Sequence, residues 1–313
     1  MVDLELGTLP KGRGPQLSYR LDRAVLGGGR DLKVPGSNTI LDVAGLGDGV
    51  LATTLTADGS GELLKLNSAG AVVRRTPRIY TLVSASDQAA AAYASDAPLV
   101  DGQMTYGATL YSERGGSVQS VELPDVRSIK VMAYANGQVY YSASVKGSEK
   151  VAKLYSWRPG SSSRLVKTVP APLAISPDGK LASSLPATGS DAGCSTVRGV
   201  TTGDRLFQSC EQTIGGFTPD GSVAIGTPAN TDGNCAISVA ALNVRSGAVI
   251  RQWRGCFYRV VAEDNDNLLM VALVSGGGQA PFSKSVLVRC AISTGACERA
   301  TEITAAKEVD FAR

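Results

Sequence analysis

The chain contains no histidine in its 313 residues. That absence removes the commonest general base near neutral pH and the commonest neutral metal ligand. It excludes a Ser-His-Asp or Cys-His catalytic arrangement and any zinc or copper site built on imidazole. Aromatic residues make up only 5% of the chain, so no single large aromatic hot spot is expected on the surface. No apolar run exceeds Leu268–Val274, far short of the ~20 residues that a membrane helix needs. Neither sign of charge dominates. Lys and Arg total 31 against 28 Asp and Glu, a formal +3. With no basic run, nucleic acid and anionic membrane are not expected as partners. The phosphate loop, the G-x-S-x-G elbow and repeated S-x-D-x-G-x-T-W boxes are all missing, so three familiar chemistries lack their motifs. No signal peptide is legible in "MVDLELGTLPKG". Met1 is expected to be an artificial start, with an export signal or anchor removed upstream, and membrane contact is expected only through such an anchor.

What the chain has in quantity is glycine, 36 residues, which suits a β protein with many turns. Two near-copies of one phrase stand out, "AISPDGKLASS" at 174–184 and "GFTPDGSVAIG" at 216–226. Ser176-Pro177-Asp178-Gly179 is a type I turn signal. Serine suits the first position, proline presets φ at the second, aspartate tolerates the third, and glycine accepts the unusual backbone angle at the fourth. Thr218-Pro219-Asp220-Gly221 repeats it 42 residues later. Strand-like segments flank both, so each phrase reads as a β-hairpin.

Degenerate copies follow in the same frame. Gly49, Gln88, Gly137 and Asn267 occupy the place of Gly179 and Gly221, giving a mean spacing of about 44 residues, which is the period of four-stranded propeller blades. A second hairpin follows each mark, as in "ELLKLNSAGAVVRR" and "ATLYSERGGSVQSVEL". Six such units run from about Ser37 to Thr301. "PQLSYRLDRAVLGGGRDLKVP" reads as the outer strands of a further unit, and the C-terminal "AAKEVDFAR" as its innermost strand. The expectation is therefore an all-β propeller of four-stranded blades, seven rather than six, closed by strands from both termini so that no sheet edge is left open. Residues 1–14 are expected to be a flexible segment and 15–313 a single domain. A pair of β-sandwiches is the alternative, and it does not account for one regular period. "DQAAAAYASDA" has the composition of a helix, but the frame makes it a strand.

The cysteines fit the same frame. Cys194 and Cys210, Cys235 and Cys256, and Cys290 and Cys297 are each symmetric about the outer turn of their own unit. Residues symmetric about a hairpin turn face each other across the strands. The expected disulfides are therefore 194–210, 235–256 and 290–297. Three disulfides imply an oxidising compartment, and the protein is expected to be extracytoplasmic, secreted or anchored. Six reduced thiols are the alternative. No CxxC spacing supports a structural zinc site.

The phrases at Ser176–Ala182 and Thr218–Ala224 resemble the repeat of TolB-type, WD40-like (PD40) propellers, which carry F-S-P-D-G before a strand. The segment Leu9–Tyr19 and the wider pattern also resemble exported propeller proteins of high-GC Gram-positive bacteria. The resemblance implies the fold and, most often, a role in holding other proteins. The Gly-His and Trp-Asp pairs of true WD40 repeats are absent.

Other candidates read more simply as structure. Asp264-Asn265-Asp266-Asn267 after Glu263 offers hard oxygen donors for Ca²⁺, but it occupies an inner-turn position, where Asn and Asp are ordinary. Asn230–Cys235 reads the same way. Gly27–Arg30 and Ser275–Gln279 could cradle an anion but lack the strand-to-helix context of a phosphate loop. Trp157 and Trp253 could stack on a sugar, yet their places late in strands favour burial between units. No catalytic residue, metal ligand or cofactor is assigned. The expected function is a monomeric, non-enzymatic binding or scaffold domain for a protein partner in the cell envelope. The alternatives are a carboxylate-based enzyme acting on carbohydrate and a Ca²⁺ or small-ligand sensor.

Overall fold

The computed structural model describes residues 1–100, 103–186, 193–230, 235–276, 283–305 and 309–312. Every regular element among them is a strand. The first repeat is a meander of Thr39–Leu46, Gly49–Leu55, Gly61–Leu66 and Val72–Pro77. The second uses Ile79–Ser84, Ala90–Ser95, Ala108–Arg114 and Ser117–Leu123. The third uses Val126–Ala135, Gln138–Val145, Ser148–Trp157 and Arg164–Pro170, and the fourth Pro172–Ile175, Leu181–Ser184, Ser195–Gly199 and Arg205–Ser209. The fifth begins with Gln212–Phe217, Val223–Pro228 and Ala236–Asn243. It shares one nine-stranded sheet with the sixth. The long strand Val249–Ala262 serves both, pairing first with Ala236–Asn243 and then with Asn267–Ser275. Lys284–Ala291 and Cys297–Arg299 complete the sixth. A further four-stranded sheet joins the two ends of the chain. In it Val309–Phe311 pairs with Tyr19–Leu21, and Ala24–Gly27 and Arg30–Lys33 follow.

The core is distributed between sheets. Among the described residues there are seven buried apolar clusters, each lying between one four-stranded unit and the next. Val83, Leu110 and Trp157 lie in the cluster between the second and third repeats, Phe207 and Phe217 between the fourth and fifth, and Trp253 and Phe257 between the fifth and sixth. The terminal sheet takes part in two, packing Val25 and Leu32 on the first repeat and Tyr19 and Phe311 on the sixth. The inner strands of each sheet therefore need apolar residues on both faces, while outer strands such as Ser117–Leu123 are largely exposed. This is why the alanine-rich stretch becomes the strand Ala90–Ser95, buried at all six positions. With side chains alternating across a strand, Ala91 and Tyr93 face the first repeat, while Ala92 and Ala94 face the third. Small side chains let two neighbours approach, and that burial outweighs helix propensity.

Residues 1–14, expected to be flexible, pack against the protein. Val2 and Asp3 pair in parallel with Trp253 and Arg254, adding a strand to the outer edge of the fifth repeat. Leu6 is buried, with Val2, Leu4 and Leu9 on the same cluster. Edge strands invite unwanted pairing, and this segment covers one. Further along, Arg289 holds the chain in place. Its guanidinium donates to the carbonyls of Arg13 and Gly14, both at 2.9 Å, and to the buried carboxylate of Glu263 at 2.8 Å. Gln16 N donates to the same carboxylate at 2.6 Å. The bonds to Glu263 lead the causes that raise the pKa of Arg289.

A second buried charge joins the first two repeats. The Glu113 carboxylate is fully buried and accepts from Lys65 Nζ at 2.7 Å and from Arg74. Tyr93 Oη also reaches it at 3.4 Å. Burial alone would raise the pKa of Glu113, but hydrogen bonds and charge from Arg74 and Lys65 reverse this and hold it below the usual carboxylate range. Removing the buried carboxylate leaves two partly exposed cations, Lys65 and Arg74, without their shared counter-charge. Glu113→Gln is expected to cost about 3 kcal/mol at pH 7, read by urea unfolding. Because the folded pKa is lowered, the contribution is complete above the ordinary glutamate pKa of about 4.3 and fades as pH falls through the folded value. The variant's deficit should therefore shrink toward pH 3. A pH-independent loss of about 0.5 kcal/mol or less would show that the cluster behaves like a surface pair.

Candidate functional site

Within each repeat the first and third turns lie at one end of the sheet and the second turn at the other. Contacts between neighbouring repeats place the first turns on a common side. Gly47 N donates to Gln88 O at 2.8 Å, Asn136 Nδ2 to Asp178 O at 2.9 Å, and Asp220 N to Asn265 Oδ1 at 3.0 Å. This is the turn face, and the opposite end is the loop face.

On the turn face the repeated phrase does more than reverse the chain. Gly179 N bonds to Ser176 O at 2.8 Å, and Gly221 N to Thr218 O at 2.9 Å. Gly179 has φ +72, and a Cβ there would stand 2.9 Å from the Tyr140 ring, so only glycine fits. The Asp178 carboxylate accepts from Ser176 Oγ at 2.6 Å and Lys180 N at 3.1 Å. Asp220 likewise accepts from Thr218 Oγ1 at 2.8 Å and Ser222 N at 3.0 Å. Burial would raise the pKa of Asp178, but these bonds outweigh it and lower it. For Asp220 the bond from Ser222 N leads the lowering. Pro177 and Pro219 line a depression of ≈ 440 Å³ together with Asp87, Arg114, Tyr134 and Asp178.

The other sequence candidates resolve in similar terms. Asp264 accepts from the backbone of Asp266 at 2.8 Å and Asn267 at 2.7 Å. Those bonds override burial to lower its pKa. Asp266 accepts from Ser293 N and Oγ at 2.8 and 2.7 Å. The oxygen donors of this stretch thus lock turns, and no cluster of three or more potential metal-ligating side chains exists among the described residues. Gly27, Gly28 and Gly29 all take positive φ, and Arg30 reaches back to Gly47 O at 2.8 Å and Ser18 Oγ at 3.0 Å. That stretch is a turn tied to the first repeat. Trp157 and Trp253 are buried, donating to Ser161 O at 3.0 Å and Gly295 O at 3.2 Å. Residues 231–234 of the Asn230–Cys235 stretch and 277–279 of the Ser275–Gln279 stretch lie outside the described residues. Burial pushes the Asp96 carboxyl upward, partly countered by the bond it accepts from Ile129 N at 3.2 Å. That bond fixes it to the neighbouring repeat.

The loop face differs in its connections. Residues 96–107 of the second repeat, 185–194 of the fourth, 229–235 of the fifth and 276–283 of the sixth separate strands that two-residue turns join in the third repeat and the terminal sheet. The structure forms Cys194–Cys210, Cys235–Cys256 and Cys290–Cys297. Cys194 and Cys235 stand at the roots of the fourth and fifth connections, so two of the bonds tie loop bases to adjoining strands. Ile237 is 65% exposed just beyond Cys235. Tyr106 is exposed in the second connection, donating to Glu149 at 2.7 Å beneath Lys146. Leu41 and Leu55 are exposed at the same end of the first repeat. Sequence reasoning found the cysteines but not this convergence, because it depends on which sheet end each connection leaves.

No protein-family model matches the chain, and no curated protein matches it. Solved structures do. Pyrococcus horikoshii acylaminoacyl peptidase matches at TM-score 0.57 and 10% identity, over 87% of this chain and 46% of that one. The β-propeller domain of the Trilobed protease from Pyrococcus furiosus, described as having an open velcro topology, matches at TM-score 0.52 and 9% identity, over 86% and 83%. TolB from Acinetobacter baumannii matches at TM-score 0.48 and 12% identity, over 81% and 62%. The chain thus spans less than half of that peptidase and under two thirds of that TolB.

The turn carboxylates carry a test. Asp178→Ala is expected to lower stability by about 1 kcal/mol at pH 7, measured by urea unfolding. Since the folded pKa lies below the ordinary value of about 3.9, the loss should be full above that pH and diminish below it. An unchanged midpoint at pH 7 would remove the carboxylate from the turn's stability. With the repeated sheets, the turn chemistry and the likeness to the Pyrococcus furiosus propeller domain together, the chain has the β-propeller fold.

Proposed function

We propose that this chain is a non-enzymatic binding propeller, a seven-bladed ring acting outside the cytoplasm as a monomer and holding a protein partner on its loop face. The observation that carries the reading is the pair of disulfides, Cys194–Cys210 and Cys235–Cys256, rooted beneath two long connections on one face. A disulfide at a loop base limits the conformations the loop samples and so lowers the ordering cost of binding. Exposed Ile237 and Tyr106 on the same side offer apolar contact. On the opposite face the carboxylates of Asp178, Asp220 and Asp264 are held by their own turns, which favours a structural role over acid–base chemistry. Ring closure is supported by the pairing of Val309–Phe311 with Tyr19–Leu21 and by the terminal sheet's packing on both the first and sixth repeats. The disulfides support an oxidising compartment.

The test is face-specific photocrosslinking in the native host. A benzophenone amino acid at Tyr106 or Ile237 should give one discrete protein adduct. The same probe at Val118 or Leu165, exposed near the turn face, should give none. Equal adducts from both faces, or none from the loop face, would contradict the reading.

A further inference from the structure

We propose that the groove between the sixth repeat and the terminal sheet binds a small uncharged molecule with an apolar body and one hydroxyl or carbonyl group. Several other seams are filled by large buried side chains, such as Tyr141 and Trp157, Tyr93, or Trp253 and Phe257. At this seam Phe311 fills one part. Beyond it Ser285, Leu287 and Ala300 face Tyr19, Leu21 and Val309 across a space of ≈ 470 Å³. Protein interiors are normally packed without such gaps, and the volume lies in the range of small-molecule sites.

The polar groups define the ligand. Leu287 faces the terminal sheet, and strand alternation puts Ser285 on that same face. Ser285 is 3% exposed, and its hydroxyl oxygen is buried with no hydrogen-bond partner. Such a group in a native structure calls for a partner, and a hydroxyl or carbonyl on a ligand supplies one. At the rim Lys11 and Glu302 pair with each other at 2.5 Å. Each neutralises the other, so the groove offers no net charge and favours an uncharged molecule. The site is separate from the loop face and does not depend on the function proposed for it.

The probe is 4-fluorophenol, an aromatic ring with a single hydroxyl, followed by fluorine NMR on the full chain. Saturable binding to one site is expected. Ser285→Ala should weaken it about fivefold, the loss of one hydrogen bond. Ala300→Phe, which fills the space from one wall, should abolish it while preserving the near-ultraviolet circular dichroism of the native fold. Should that variant fail to fold, Leu21→Phe fills the same space from the opposite wall. Absence of saturable binding to the unmodified chain, or unchanged affinity in either the serine or a filling variant, overturns the proposal.

Discussion

Each repeat and the terminal sheet, among the described residues, has two apolar faces, and any one neighbour covers only one of them. That constraint governs the rest. A four-stranded meander such as Thr39–Pro77 cannot bury itself. Its Ala44 and Leu51 side packs on the second repeat, and its Val43 and Val50 side on the terminal sheet. The same holds at each seam, so stability is a property of the series of sheets. The strand Ala90–Ser95 shows the constraint overriding local preference, since a helix there would satisfy neither neighbour.

Polar interactions serve the same end. Glu113 ties the outer strands of the first repeat to the second. Arg289 binds the sixth repeat to the segment that leads into the terminal sheet. The Ser-Pro-Asp-Gly and Thr-Pro-Asp-Gly turns use their aspartates to close the hairpins, and side chains such as Asn136 and Asn265 pass from one turn to the next. One face is thereby made of short, mutually bonded turns. The other carries the long connections, two of them rooted by disulfides.

Much of the fold was legible because its signals are local and recur. Gly179 and Gly221 fixed a frame, and residues as degenerate as Gln88 fall in it, at φ 55 in an inner turn. The cysteine pairs could be read because hairpin partners are symmetric about a turn. What was not legible depended on distance. Glu113 and Lys65 belong to different sheets, and nothing near either residue marks the other. Arg289 meets the carbonyls of Arg13 and Gly14 from the far end of the chain. The packed N-terminal segment did leave a trace, the alternation of Val2, Leu4 and Leu6 with acidic residues, which is a strand signal. It was obscured by the glycines and prolines that follow. The groove beside Ser285 could not be foreseen, since a gap in packing arises only when two sheets meet.

The proposed closure rests on the sheet that Tyr19–Leu21 and Val309–Phe311 share. Native-state hydrogen exchange of the amides in Tyr19–Leu21 and Val309–Phe311 tests it most directly. Protection in both strands comparable to that of the buried strand Ala90–Ser95 is predicted, because opening either end would expose two apolar seams at once. Rapid exchange at both terminal strands, with the six repeats still protected, would show that the repeats stand without closure and would contradict the proposal.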